Sequence, residues 1–122
     1  MSKLEDLEIY TLSMKTGEKV WTIVSKWDYF AKNTIGKQWV RAIDSVSANI
    51  SEGYGRFSFS EMRLFVRIAR GSLIEHKTWF TKSFNRQLIT KEIYDDFYTD
   101  GNILSIKINN FLKVLGRKID NQ

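Results

Sequence analysis

The sequence predicts an all-α protein, specifically an antiparallel four-helix bundle with up-down-up-down topology. Apolar residues recur at intervals of three and four along most of the 122 residues, which is the spacing of helices that bury one face. Nowhere does the chain sustain the strict alternation of a half-buried strand. Proline is absent, so the residue that most strongly disrupts a helix interior is missing throughout. This length suits one domain, which we expect to span residues 1–122.

The first helix is predicted to run from about Asp6 to Trp27. Two apolar stripes follow its surface, a breadth typical of a helix that is buried on more than one side. The stripes comprise Leu7, Tyr10, Met14, Gly17, Trp21 and Val24, and beside them Ile9, Leu12, Val20, Ile23 and Trp27. The segment that follows, Asp28–Gly36, is the longest predicted connection. The other connections are short, which favours antiparallel neighbours.

The second helix is predicted from about Lys37 to Tyr54. Its apolar repeat has the spacing of a helix face that packs against the bundle. We expect the helix to end within the Gly-Tyr-Gly sequence at residues 53–55, because glycine readily takes the left-handed conformation that closes a helix. The repeat comprises Trp39, Ile43, Val46 and Ile50.

The third helix has a clear start. Ser58 and Glu61 have the spacing of a capping box, and Phe57 and Met62 that of a hydrophobic staple. The helix is predicted to run to about residue 85. Gly71 lies inside it, where glycine costs about 1 kcal/mol relative to alanine, so we expect a neighbouring helix to approach closely there. The predicted core face comprises Phe65, Ile68, Ala69, Leu73, His76 and Phe80.

The fourth helix shows the clearest periodicity. Thr90 is a plausible N-cap after a short turn near residues 87–90. The apolar positions then alternate three and four residues apart, as in a helix packed lengthwise against others. This seam comprises Tyr94, Phe97, Gly101, Leu104, Ile108, Phe111 and Leu115.

The composition excludes several classes of protein and site. Cysteine is absent, which removes disulfides, zinc–cysteine sites and thiol nucleophiles. The first residues lack the uninterrupted apolar core of a signal peptide. No apolar run approaches the length of a membrane span. We therefore expect a cytoplasmic protein that has no membrane partner.

We find no catalytic constellation. A di-metal carboxylate site in a bundle needs a Glu-x-x-His pair on each of two helices, and this chain has one histidine, His76. There is no G-x-S-x-G elbow around a serine nucleophile, and the Gly-Tyr-Gly sequence follows a helix, unlike a dinucleotide-binding loop. We expect no enzymatic activity, cofactor, metal site or small-molecule substrate. His76 is predicted to be a hydrogen-bonded residue of the interior or of an interface.

The positive charge is concentrated in the middle of the chain. Of a net charge of +5, residues 61–90 alone contribute six basic and two acidic side chains. A concentrated basic region can attract nucleic acid or another polyanion, whereas a solvated basic face maintains solubility. Arg63, Arg67 and Arg70 form one stripe along the third helix, either exposed for phosphate contact or paired inside the bundle.

A polar cluster is predicted between the second and third helices. If the turn centres near residue 57, facing positions sum to about 114 in an antiparallel pair. Asp44 would then face Arg70, and Asn49 and Glu52 would lie within reach of arginines on the third helix. Such a cluster can fix the register of two helices if its members are paired. It comprises Arg41, Asp44, Asn49, Glu52, Arg70 and Glu75.

Two segments together resemble a known family. The run Ile35–Arg56, IGKQWVRAIDSVSANISEGYGR, and the later sequence ARGSL at residues 69–73 with Glu75 are similar to the bacterial four helix bundle proteins, also called 23S rRNA intervening-sequence proteins. The resemblance extends from Leu7 to about Leu115. Its motif positions are Arg41, Asp44, Asn49, Glu52, Gly53, Arg56, Arg70, Gly71, Ser72 and Glu75.

The resemblance implies an up-down four-helix bundle that assembles into a homo-oligomer. The expected assembly is a homopentamer, because family members are similar to proteins that form barrel-shaped homopentamers. It also implies similarity in fold to the accessory protein of diversity-generating retroelements, which binds nucleic acid. No enzymatic activity is assigned to the family.

Two functional hypotheses follow. In the first, a homo-oligomer binds RNA or DNA through phosphate contacts from a basic surface. Its candidate residues are Arg56, Arg63, Arg67, Lys77, Lys82 and Arg86. In the second, the oligomer is a structural or adaptor protein that binds another protein, because large aromatic side chains exceed what one small bundle can bury. These aromatic residues are Trp21, Trp27, Tyr29, Phe30, Trp39 and Trp79.

Overall fold

The architecture was examined in a computed structural model, which describes residues 3–4 and 7–122. All regular structure in these residues is helical. The long helices are α1 (Glu8–Val24), α2 (Lys37–Tyr54), α3 (Phe59–Asn85) and α4 (Lys91–Asp120). The all-α prediction is confirmed. The predicted start of the first helix, Asp6, lies outside the described residues.

The helices form a closed ring in chain order. Helix α2 packs against α1 and α3, α4 packs against α3, and α1 closes the ring against α4. Neighbours in sequence are joined by short turns and therefore run antiparallel. This arrangement confirms the up-down-up-down four-helix bundle.

The core follows the predicted stripes in part, since Met14, Trp21 and Ile68 are exposed, and aromatic side chains dominate one part of it. Trp39 is completely buried. Its ring contacts Phe97 edge-on at a centroid distance of 5.2 Å and lies 5.8 Å from Trp27. Such aromatic pairs stabilise a core beyond the area that they bury. On α4, four positions of the predicted seam are fully buried: Phe97, Leu104, Ile108 and Leu115.

The connection predicted at 28–36 is wrong, because this segment is helical. An α-helical turn, Tyr29–Ala31, leads into a π-helical segment, Lys32–Gly36, which continues directly into α2. Asp28 caps the turn by accepting a hydrogen bond from the backbone N–H of Ala31 at 2.9 Å. The wider π turn accommodates an extra residue, and it places both Ile35 and Gly36 in the interior.

Both predicted N-caps are confirmed. Ser58 Oγ accepts a hydrogen bond from the backbone N–H of Glu61 at 3.1 Å, and Thr90 Oγ1 accepts one from Ile93 at 3.2 Å. The hydrophobic staple is wrong, because Phe57 is fully exposed.

Helix α2 ends at Tyr54 as predicted, but without a left-handed glycine. Gly55 has φ −78°. The left-handed residue lies instead after α3, where Gln87 has φ 62°. There the N–H of Leu88 donates to the carbonyl of Ser83 at 2.8 Å and that of Gln87 to Phe84 at 3.0 Å, the pattern of a Schellman motif.

The close helix approach expected at Gly71 is wrong, because a Cβ there would meet nothing within 4 Å. Two other glycines mark the close approaches. A Cβ at Gly36 would lie 2.7 Å from Val24 Cγ1 on α1, and one at Gly53 would lie 3.0 Å from Phe65 Cβ on α3. The α1–α2 and α2–α3 pairs thus both depend on glycines of the second helical segment.

None of the helices in the described residues carries an apolar stretch long enough to traverse a lipid bilayer.

The glycine contacts predict opposite effects for the same substitution at two helical positions. Gly36→Ala should lower the free energy of unfolding by about 1–3 kcal/mol, because the new methyl group overpacks a stiff valine contact. Gly71→Ala should raise it by up to about 1 kcal/mol, because an open helical site gains only helix propensity. Chemical denaturation of both variants tests this pair, and a stabilised Gly36→Ala protein would contradict the packing described for α1 and α2.

Candidate nucleic-acid interface

A row of cations runs along the outside of α3. Arg63, Arg67, Arg70 and Lys77 are separated by four, three and seven residues, so they share one flank of the helix. Arg67, Arg70 and Lys77 are exposed and Arg63 is half-buried. The ion pairs formed by the described residues include none of the four. This cationic row therefore faces outward, with its charges uncompensated by a bound carboxylate.

The opposite wall is the flank of α4 that faces α3, and its side chains are polar but uncharged. Arg70 Nη1 donates a hydrogen bond to Asn109 Oδ1 at 3.2 Å. The ammonium group of Lys77 lies over the ring of Tyr98, with Nζ 4.8 Å from the ring centroid. Between these two contacts, the groove is lined by Asn102 and Ser105. The α3–α4 groove thus combines cations on one wall with amide and hydroxyl groups on the other.

Two acidic residues of α4 point away from this groove. Asp96 and Asp100 lie toward α1, where their carboxylates pair with Lys19 Nζ at 3.3 and 2.9 Å. The two carboxylates raise the pKa of Lys19, and the hydrogen bond from Asp100 contributes most. These two carboxylates therefore face α1, a third, Asp95, pairs with Lys91 of its own helix, and neutral hydrogen-bonding groups line the groove beside the cationic row.

The remaining candidate cations lie apart from this groove. Lys82 and Arg86 are on the other flank of α3, and Lys82 Nζ lies 5.3 Å from the ring centroid of Trp79. Arg56 pairs with Glu52 one helical turn before it and lies over the ring of Phe65 at 4.8 Å. The structure consequently brings together three of the six candidates, Arg63, Arg67 and Lys77, and adds Arg70 to them.

The predicted contact between Asp44 and Arg70 is wrong. Asp44 lies on the α1 flank of α2, where its Oδ1 would be 3.1 Å from a Cβ at Gly17. Partial burial, and secondarily the charge of Glu18, raise the pKa of Asp44. The next residue in sequence, Ser45, lies about 100° further around the helix and is the one that meets α3.

The α2–α3 contact is made by small hydroxyl groups. Ser72 Oγ donates to Ser45 Oγ at 3.0 Å. Asn49, expected near the arginines of α3, instead donates through Nδ2 to the backbone and hydroxyl oxygens of Ser45 at 2.8 and 2.9 Å. Arg41 and Glu75 are exposed. The predicted polar cluster is therefore not assembled, because its members lie on different flanks of their helices.

His76 is completely buried, and its Nδ1 accepts a hydrogen bond from Trp39 Nε1 at 2.9 Å. This confirms the prediction of a hydrogen-bonded interior histidine. A neutral imidazole that accepts at Nδ1 carries its proton on Nε2. Within the described structure, Nε2 is buried and has no hydrogen-bond partner. Burial lowers the pKa of His76 from 6.5 to about 3, so the ring is neutral at physiological pH.

A cavity of about 320 Å³ lies between α3 and α4, and the imidazole of His76 forms part of its wall. Leu73 and Phe80 line it beside the ring, and Gly101 on α4 leaves it open, since a Cβ there would meet nothing within 4 Å. Sequence analysis assigned His76 and Gly101 to core seams and did not reveal the cavity. The sequence signal for this cavity was that a titratable residue, His76, and a glycine, Gly101, both occupied positions of the apolar repeat.

Metal-ligand side chains are not gathered in the part of the chain that the structure describes: no three His, Asp or Glu residues lie close enough to hold one ion.

The fold and this surface define a class, a four-helix bundle with one cationic, amide-lined groove. The model of the 23S rRNA-intervening sequence protein family matches residues 5–110, and the chain belongs to that family.

A solved structure shows the same fold. It is the crystal structure of a protein of unknown function from the S23 ribosomal protein family of Bacteroides thetaiotaomicron VPI-5482. The two chains superpose with a TM-score of 0.77 at 18% sequence identity, over 86% of this chain and 95% of the other. No curated protein matches the chain.

The buried imidazole predicts a specific pH dependence of stability. The unfolded chain binds a proton at His76 below pH 6.5, whereas the folded protein does not until about pH 3. Stability is therefore lost as the pH falls through this window, by about 1.4 kcal/mol per pH unit for one proton. From pH 7 to pH 5 the free energy of unfolding should fall by about 2 kcal/mol.

Urea denaturation across this pH range measures the effect, with His76→Leu as the control. The variant should lose this slope, whatever its absolute stability after losing the acceptor for Trp39. A wild-type protein whose stability is unchanged between pH 7 and pH 5 would contradict a buried neutral imidazole.

Proposed function

We propose that this protein is a non-enzymatic, self-associating bundle that binds RNA or DNA through the α3–α4 groove. The observation that carries the proposal is the cationic row of Arg63, Arg67, Arg70 and Lys77, none of which pairs with a carboxylate of the described residues. Counterion release makes such unpaired cations favourable phosphate ligands. Contacts of this kind position a nucleic-acid backbone without reading its sequence.

The neutral wall of the groove supports the same assignment. Asn102, Ser105 and Asn109 offer amide and hydroxyl groups, which are common phosphate and sugar contacts in protein–nucleic acid complexes. Asp96 and Asp100 of α4 face α1, Asp95 is paired with Lys91 of its own helix, and the α4 residues that line the groove carry no negative charge. An acidic protein partner would be attracted by the row as well, but it would gain less from a wall of uncharged amide donors.

The cationic row predicts a loss of affinity with a defined salt signature. Arg67→Ala/Lys77→Ala should weaken binding of a fluorescein-labelled single-stranded RNA at least tenfold at low salt. The slope of log K against log salt should become shallower by about 1.4, or about 0.7 for each phosphate contact removed. Fluorescence anisotropy over several salt concentrations measures both quantities.

The matched control is Lys15→Ala/Lys26→Ala. Both lysines are exposed and lie on or just after α1, diagonally across the bundle from α3, and the double variant loses the same net charge. It should bind as the wild type does. Equal losses in the two double variants would mean that only net charge matters, and an absence of binding at low salt would refute the proposed function.

Self-association is proposed from a second surface. Trp21, Tyr29 and Phe30 are 60%, 84% and 78% exposed and lie at the end of α1 and in the helical turn that follows. Such aromatic side chains anchor protein interfaces, and we take this aromatic patch as the contact between subunits. A homopentamer is the expected assembly. The alternative function, an adaptor whose oligomer binds another protein, would use the same patch.

The aromatic patch predicts a mass change on substitution. Trp21→Glu/Phe30→Glu should shift the protein from oligomer to monomer, because buried carboxylates without partners oppose association. Light scattering coupled to gel filtration measures the mass, and Phe57→Glu, at a fully exposed aromatic residue in the α2–α3 turn, is the control. A wild-type monomer at micromolar concentration would refute self-association and leave the patch to a different protein.

A further inference from the structure

The α3–α4 groove contains an unused hydrogen-bond donor. Trp39 Nε1–H donates to His76 Nδ1, so the proton is on Nε2, and among the described residues this buried N–H has no partner. A buried polar group that lacks a partner carries a desolvation cost that an acceptor would relieve. His76 is one of the residues that line the cavity between α3 and α4, and almost none of its surface is exposed. A ligand that presents an acceptor oxygen or nitrogen at its edge would complete this hydrogen bond.

The walls of the cavity limit the shape of that ligand. Leu73, Ile74, Phe80 and Tyr98 supply apolar and aromatic surface. Gly101 adds no side chain, and a Cβ there would meet nothing within 4 Å. The volume of about 320 Å³ is at the lower end of the range for small-ligand pockets, about 300–1,000 Å³. A single planar ring system is small enough for this volume.

The mouth of the cavity limits the charge of the ligand. It lies between two contacts that join α3 to α4: the Arg70–Asn109 hydrogen bond and the Lys77–Tyr98 cation–π contact. A ligand in the cavity therefore has a cation on each side of it along the groove. A flat ring that carries edge acceptors and continues into an anionic chain satisfies the donor, the walls and both cations.

We propose that the cavity receives one unstacked nucleobase of a bound single strand, whose acceptor edge accepts a hydrogen bond from His76 Nε2–H. This inference rests on the proposed nucleic-acid binding and adds a preference to it. Single-stranded segments expose bases that can stack on aromatic side chains and hydrogen-bond through their edges, and duplexes hide them. The protein therefore binds single strands more tightly than duplexes of the same length.

The test fills the cavity without touching the cationic row. Gly101→Leu places a side chain in the open space of the groove, and Gly71→Leu is the matched control at an exposed helical glycine whose Cβ would also meet nothing within 4 Å. Ser105→Leu fills the same cavity from the next turn of α4 and provides a second variant. Circular dichroism and denaturation verify that each variant is folded before binding is measured.

The probes are a labelled 12-nucleotide oligouridylate and an RNA duplex of the same length, titrated by fluorescence anisotropy. Wild type and Gly71→Leu should bind the single strand about tenfold more tightly than the duplex, the order of magnitude that stacking of one base provides. Gly101→Leu and Ser105→Leu should lose this preference and retain duplex binding with the wild-type salt slope.

The outcomes separate the two proposals. Binding of both probes with no preference, or a preference that survives in folded Gly101→Leu and Ser105→Leu, overturns the base site and leaves phosphate binding intact. Failure of the wild-type protein to bind either probe at low salt overturns the proposed function, and the base site with it.

Discussion

The hydrogen bond from Trp39 to His76 links the core of the bundle to its outer surface. It joins α2 to α3 at 2.9 Å between two completely buried side chains. Because His76 must face Trp39, the rotation of α3 about its axis is set. This rotation places the cationic row on the flank of α3 that faces α4 and solvent. The same bond decides the tautomer of the imidazole and thereby leaves a donor inside the α3–α4 groove.

The charge distribution follows from this rotation. Helix α4 has acidic and neutral polar residues on different flanks, and Asp100 pairs with Lys19 of α1, whereas Asn109 meets Arg70 of α3. Asp100 lies on nearly the opposite side of α4 from Asn109, which keeps this carboxylate away from the arginines. The rotation of the helices therefore determines both the packing of the core and the phosphate affinity of the groove. Core substitutions near Trp39 should affect both.

Much of the fold was predictable from the sequence because helix periodicity is a local signal. The α4 seam and the caps at Ser58 and Thr90 required only spacing and side-chain type. The helical form of residues 29–36 was missed because a π turn inserts an extra residue and so departs from the regular spacing of an α-helix. That geometry depends on the close approach of Val24, which is a tertiary contact.

The site was harder to predict than the fold. In an antiparallel helix pair, the sum of two residue numbers predicts which residues lie at the same level along the two helix axes. It does not predict the side of the helix on which each side chain lies. Asp44 and Ser45 lie at nearly the same level along α2. Asp44 nonetheless lies against Gly17 of α1, whereas Ser45 forms a hydrogen bond with Ser72 of α3. The exposure of the arginines and the cavity beside His76 both depend on the rotation of each helix about its own axis. The apolar spacing does not determine this rotation closely enough, so neither feature could be predicted from the sequence.

The most direct test of the account is nitrogen-15 NMR of the imidazole, which gives one spin system because the chain has a single histidine. With a chain that carries no histidine tag, Nε2 should give the signal of a protonated nitrogen and Nδ1 that of an acceptor. Both signals should hold from pH 7 to pH 5. A proton on Nδ1, or titration of the ring near pH 6.5, would contradict the Trp39–His76 bond and the surface that depends on it.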